Sequence, residues 1–121
     1  MTGEQIVQRF SKYEINQGSE VLLDMRRDLS CFLSNMANDI MALEKEYRSL
    51  QAEVKLKYAL KKNLYSGTVV QKEAHARSET YQDRKRVAEL DGEIRGFRIK
   101  YESYESVIDS MASYLKILGA V

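Results

Sequence analysis

The stretch "VAELDGEIRGFRIKYESYESVIDSMASYLKIL", residues 87–118, decides the fold. Val87, Leu90, Ile94, Phe97, Tyr101, Tyr104, Ile108, Met111, Leu115 and Leu118 recur strictly three and four positions apart. That spacing places ten large apolar side chains along one stripe of an α-helix and leaves charged residues on the other faces. A strand would need a period of two, which this stretch lacks.

Working back toward the N-terminus, the same pattern fills the first half of the chain. Leu22, Leu29, Leu33, Met36, Ile40, Leu43, Tyr47, Leu50 and Val54 form a second seam, with Arg26 as its one polar position and Met25 and Phe32 widening its start. Between the two runs lies "YSGTVVQ", residues 65–71. Gly67 is suited to a left-handed helix cap, and Thr68 is suited to start the next helix. The spacing therefore predicts a helix over about 20–64, a turn over 65–71 and a helix over about 72–118. Two helices of similar length align their seams when they fold back as an antiparallel hairpin. Leu50 then lies near Val87, and Leu22 near Leu115. Residues 1–18 read as a short amphipathic helix with Ile6, Phe10 and Tyr13 on one side, capped by Thr2 and ended near Gly18. This segment is expected as a satellite of the hairpin, which occupies 19–121.

The totals agree with an all-α reading. In 121 residues there is no proline and no tryptophan, and 31% of residues are charged, a composition that favours long helices. A two-helix hairpin buries few side chains for each residue it orders, so self-association into a homo-oligomer is expected. Gly92 and Gly96 are either tolerated surface glycines or places where another backbone approaches. Cys31 is the single cysteine, which excludes an intrachain disulfide and a site built on several thiolates, and its apolar surroundings suggest packing. The start "MTGEQIVQRF" has no basic segment leading into an apolar one, and no run approaches the ~18 apolar residues of a membrane span. A soluble, cytoplasmic protein is the expectation.

Chemistry in the chain is sparse. His75 is the only histidine, and no nucleophile and base can be assigned around it by spacing; it reads as a solvated residue. No phosphate-cradling glycine loop, zinc spacing or calcium loop is present, so no cofactor or metal is expected. Acidic pairs such as Glu44 and Glu46, or Glu102 and Glu105, stand among basic neighbours and read as solvated helix faces.

Charge is the exception. The formal net charge is only +1, yet residues 54–72 hold five lysines and no acid, whereas residues 31–53 hold four acids and two bases. In "KLKYALKKNLYSG", residues 55–67, Tyr58 and Tyr65 interleave with Lys55, Lys57, Lys61 and Lys62. Lys72 and Arg77 follow across the turn, with Arg84, Lys85 and Arg86 beyond, partly offset by Glu73, Glu79 and Asp83. Ammonium groups neutralise phosphates while aromatic faces stack on bases, as binding of a single strand without sequence preference requires. Packing beneath the turn is the alternative role for the tyrosines, and a solvated basic face the alternative for the lysines. Nothing resembles a groove-reading helix-turn-helix or a zinc finger.

With a short N-terminal segment, a long helix closing in a basic stretch, an aromatic-Ser-Gly turn and a long second helix, the chain resembles the UvsY family of bacteriophage recombination mediators. "YALKKNLYSG", residues 58–67, stands against a family stretch of the form Leu-Lys-Ala-Arg-Leu-Asp-Tyr-Tyr-Ser-Gly. Tyr65, Ser66 and Gly67 match directly; Lys61 takes the arginine position, and Ala59 falls at the lysine position, with Lys57 and Lys62 nearby. The resemblance implies a non-enzymatic helical homo-oligomer that binds single-stranded DNA in recombination and repair. It also implies two partners, a RecA-like recombinase and the single-strand-binding protein that it replaces. The site expected from charge, aromatics and resemblance together comprises Lys55, Lys57, Tyr58, Lys61, Lys62, Tyr65, Lys72 and Arg77. Two alternatives belong to other classes. "YSG" and "YESYE", residues 101–105, are also similar to small secreted helical hairpins with Trp-x-Gly at the turn, although tyrosine stands for the tryptophan. The other is a structural or adaptor coiled coil without nucleic acid.

Overall fold

A computed structural model describes residues 2–119, so the outer ends of the two expected segments, Met1 and residues 120–121, lie outside the described residues. Four α-helices are present: α1 (Gly3–Ser11), α2 (Ser19–Leu64), α3 (Val69–Glu79) and α4 (Tyr81–Ile117). A 3₁₀ turn at Ile15–Gln17 joins α1 to α2, and the described residues contain no strand. The chain is all-helical, as its periodicity implies. It divides into two compact units, one of Met1–Ile40 with Phe97–Val121 and the other of Met41–Gly96.

The first unit is built around a continuous apolar core. Ile6 of α1, Leu22, Met25, Leu29, Leu33, Met36 and Ile40 of α2, and Tyr104, Met111 and Leu115 of α4 are all buried in it. Apart from Ile6 and Met25, these are seam positions of the two long helices, so the period of three and four reports the buried face correctly here. The N-terminal helix is not a satellite, as expected, but part of this core. Ile6 is 1% exposed. Gly3 explains how α1 comes so close: a Cβ at that position would stand 2.7 Å from the Phe32 ring and 2.8 Å from that of Tyr104. Those two rings meet edge to face at 5.4 Å. Thr2 opens α1 with a reciprocal cap, its hydroxyl accepting from Gln5 N–H and its own N–H donating to the Gln5 side chain. Gly18, at φ +91°, takes a positive dihedral that suits glycine and turns the chain into α2.

A polar contact also ties α1 to α4. The Tyr104 hydroxyl is hydrogen-bonded to the Glu4 carboxylate, which this bond, its own backbone N–H and the nearby Lys100 charge hold below its usual range despite an opposing desolvation. Burial first, and then the Glu4 bond and charge, push the Tyr104 hydroxyl up to about 12. Cys31 departs from expectation. It is exposed, because two positions beyond Leu29 is about 200° around the helix and so away from the seam.

The second unit has a thinner core, with Val54, Ala76, Thr80, Leu90 and Ile94 buried and Leu43, Tyr47, Leu50 and Val87 half-buried. Its turn differs from expectation in two respects. Helix α3 starts at Val69, inside the expected 65–71 turn, because Thr68 forms a complete capping box with Gln71 at 3.0 and 3.2 Å. Gly67 has φ +151°, a glycine-favoured value but well away from the ~+57° of a left-handed helical cap.

The expected helix over 72–118 is also interrupted. Thr80, fully buried, separates α3 from α4. Its hydroxyl donates to the Ala76 carbonyl at 2.8 Å and accepts from Arg84 Nε at 3.2 Å, while Arg84 Nη2 bonds the Arg77 carbonyl at 2.8 Å. A threonine bonding back one turn competes with the helical ladder, and the Arg84 guanidinium satisfies a carbonyl that the break releases. Gly92 and Gly96 are exposed, and a Cβ at either would meet no other described atom of the chain within 4 Å. Close approach of another part of this chain therefore does not account for them.

Candidate nucleic-acid interface

Every residue of the expected site lies in the second unit. Residues 54–88 contain nine lysines and arginines against three acids. Helix α2 carries Lys55, Lys57, Lys61 and Lys62 on its last turns; α3 carries Lys72 and Arg77; the first turns of α4 carry Arg84, Lys85 and Arg86.

The three acids are not distributed at random. Lys57 Nζ stands 3.0 Å from Asp83, Lys61 Nζ 3.9 Å from Glu79, and Lys62 Nζ 3.7 Å from Glu73. Three of the expected phosphate ligands thus already face a carboxylate: the sequence showed these acids as an offset to the basic run, but not their one-to-one pairing. All six side chains remain substantially exposed, in the range where an ion pair contributes about 0–1 kcal/mol and is screened by salt. Such pairs can exchange a carboxylate for a phosphate at small cost. Arg86 is more fully engaged, reaching Glu46, Glu89 and Glu93 at 3.5–3.7 Å.

Among the described cations of residues 54–88, no carboxylate lies within 4.0 Å of Lys55, Lys72, Arg77, Arg84 or Lys85. These five carry the positive charge that pairing leaves over in this stretch. Lys55, Lys72 and Arg77 were expected on sequence grounds; Arg84 and Lys85 were seen as part of the basic run but not as site residues. Their signal was present in "DRKR", where one acid faces three cations.

The two tyrosines differ in their surroundings. Tyr58 is half-buried. Tyr65 is 40% exposed, but one of its faces is stacked on His75, ring centres 4.3 Å apart and planes inclined by 14°. His75 is therefore a half-buried partner of Tyr65 and not a solvated residue. One face of a ring flanked in this way is all that a base could use.

Apolar exposure accompanies the charge. Leu56, Leu60 and Leu64 of α2 follow at four-residue spacing and are 51–82% exposed, and Val69 and Val70 at the start of α3 are bare as well. A groove of about 340 Å³ lies beside the basic run, lined by the apolar Val54 and Val87, by Tyr47 and Gln51, and by the charged Lys55, Arg84 and Asp91. The Tyr47 hydroxyl accepts from Gln51 Nε2 at 3.4 Å, and Asp91 is paired with Arg95 at 3.1 Å.

No family model, curated protein or solved structure matches the chain. None of its described helices is long and apolar enough to cross a membrane.

Proposed function

We propose that this protein is a non-enzymatic single-stranded DNA-binding mediator, assembled from antiparallel helical hairpins into a homo-oligomer, that helps a RecA-like recombinase displace single-strand-binding protein. The observation that carries the reading is the surplus of positive charge on one unit, with Lys55, Lys72, Arg77 and Lys85 facing no carboxylate. Lys57, Lys61 and Lys62 join them once phosphates replace Asp83, Glu79 and Glu73. The order of the ion pairs supports the hairpin, because residues 46, 57, 61 and 62 of α2 meet 86, 83, 79 and 73 in descending order. Exposed leucines and valines on the same unit support self-association, since burying them between copies is favourable by about 25 cal/mol per Å². Repetition of a weak site around such an assembly raises affinity through effective concentration. The resemblance to the UvsY family, centred on residues 58–67, supplies the recombinase partner and the cytoplasm of a host cell as the place of action.

A second reading, an adaptor coiled coil, is favoured by the ion pairs at Lys57, Lys61 and Lys62 taken with the bare leucine stripe, features that suit a protein partner as well.

Titration of labelled single-stranded DNA at several salt concentrations tests the proposal. Each neutralised phosphate contributes about −0.7 to the slope of log K against log salt. A variant with Lys55, Lys72, Arg77 and Lys85 changed to alanine is expected to bind more weakly with a slope shallower by about two to three. Lys57→Ala, Lys61→Ala and Lys62→Ala together should also weaken binding, because they leave three acids unopposed. Unchanged affinity in both variants rejects the site, and a self-associating wild type that binds no DNA favours the adaptor.

A further inference from the structure

We propose that the groove beside Tyr47, Gln51, Val54, Lys55, Arg84 and Val87 is a docking site for one base of a bound single strand, whose adjoining phosphates lie on Lys55 and Arg84. This deepens the proposed function and rests on it. The groove has the parts that a nucleotide requires: apolar surface for a flat ring, hydrogen-bonding groups, and two cations in its lining. Its volume of about 340 Å³ falls at the small end of the range for ligand clefts.

The polar atoms are positioned for recognition. Gln51 and Tyr47 are linked to each other through one 3.4 Å contact and keep further capacity to donate and accept. Asp91 adds a carboxylate to the lining, but its charge is paired with Arg95, and Lys55 and Arg84 leave the lining net positive. Arg84 is held in place by Thr80 and by the Arg77 carbonyl, contacts that use donors on Nε and Nη2 and leave Nη1 for an anion. The helix break at Thr80 thereby acquires a use, since it fixes a guanidinium at the groove without a carboxylate partner. An arginine ordered before binding loses less side-chain freedom when a phosphate arrives. Lys62, seven positions beyond Lys55, lies on the same face of α2, so a strand leaving the groove along that face passes onto it.

The first unit provides a contrast. It has a groove of similar size, about 370 Å³, lined by Glu4, Val7, Gln8, Lys100, Ser103 and Tyr104 among others. There the one lysine is accompanied by Glu4, whose carboxylate the Tyr104 hydroxyl holds below its usual range, so that groove offers no surplus of positive charge to an anion.

The test compares a twelve-nucleotide thymidine strand with an abasic strand of the same length and charge, by fluorescence anisotropy at one salt concentration. Stacking of bases predicts that the wild type prefers the base-bearing strand by about tenfold or more. Tyr47→Leu should cut that preference to about twofold or less while leaving affinity for the abasic strand unchanged. Equal affinity of the wild type for both strands, or a Tyr47→Leu protein that keeps the full preference, overturns the groove and leaves the charge-based reading standing. Failure of both strands to bind overturns the reading itself, and the groove with it. Photocrosslinking of the wild type to a bromodeoxyuridine strand gives a second measurement that does not depend on the variant's folding. Adducts are expected on the peptide containing Tyr47, and adducts confined to Tyr58 or Tyr65 contradict the proposal.

Discussion

Leu29 and Val54 occupy seam positions of the same helix, yet they sit in different kinds of packing. Leu29 is fully enclosed in a core to which α1, α2 and α4 all contribute, closed at its edges by the contacts of Phe10, Tyr13 and Phe32 with tyrosines of α4 and the loop carbonyl of Gly18. Val54 belongs to a thinner interior, in which ion pairs flank the few buried side chains and five large apolar residues from Leu56 to Val70 face outward. The difference assigns labour: the first unit encloses the larger apolar core and has nearly balanced charges, whereas the second carries surplus positive charge together with clustered exposed apolar side chains at Leu56, Leu60, Leu64, Val69 and Val70.

If this contrast is right, truncation should be felt unequally. Leu29→Ala removes a fully buried side chain from a closed core and is expected to cost about 2–5 kcal/mol in urea unfolding. Val54→Ala, at a site with room to relax, should cost about half as much or less. Equal losses would break the comparison, and would mean that the second unit is packed as tightly as the first.

A smaller effect separates the units by pH. The Tyr104 hydroxyl has a folded-state value raised to about 12 from the ordinary 10, so the stability it contributes is complete below pH 10 and is lost as pH rises through the folded value. Alkaline denaturation followed between pH 9 and 12 should therefore show a falling stability that Tyr104→Phe makes shallower. Glu4 acts in the opposite sense. Its folded-state value is lowered, so its contribution is present above the usual carboxylate range and disappears on acidification through the folded value. Tyr104→Phe should flatten that acid limb as well, since the hydroxyl is the largest cause of the Glu4 shift. A pH profile unaltered by the substitution would remove the α1–α4 hydrogen bond from the account.

Much of this was legible in the residues because helical periodicity is a local property. Leu22 to Ile40 and Leu90 to Leu115 turn inward at the spacing they show, and Thr2 and Thr68 cap the helices they precede. What was not legible depended on partners distant in the chain. Asp83 meets Lys57 across twenty-six positions, and only the register of the folded helices selects that pair. The stacking of His75 in α3 on Tyr65 in the turn, and the groove formed by α2 and α4 at Tyr47, arise in the same way, from residues that only the folded chain brings together. The break at Thr80 was hidden for another reason: threonine is tolerated inside helices, and only its bonds to Ala76 and Arg84 mark it as an interruption. Cys31 was misjudged by composition where its phase on the helix would have placed it outside.

Amide hydrogen exchange with and without a saturating single strand tests most directly whether the unit with uncovered cationic surface is the one that holds DNA. Added protection within residues 41–96, strongest near Lys55 and from Lys72 to Lys85, is the expected result, with residues 3–40 and 97–117 unchanged. Protection centred on the latter segments, or a pattern indistinguishable from the protein alone at concentrations that saturate binding, would contradict it.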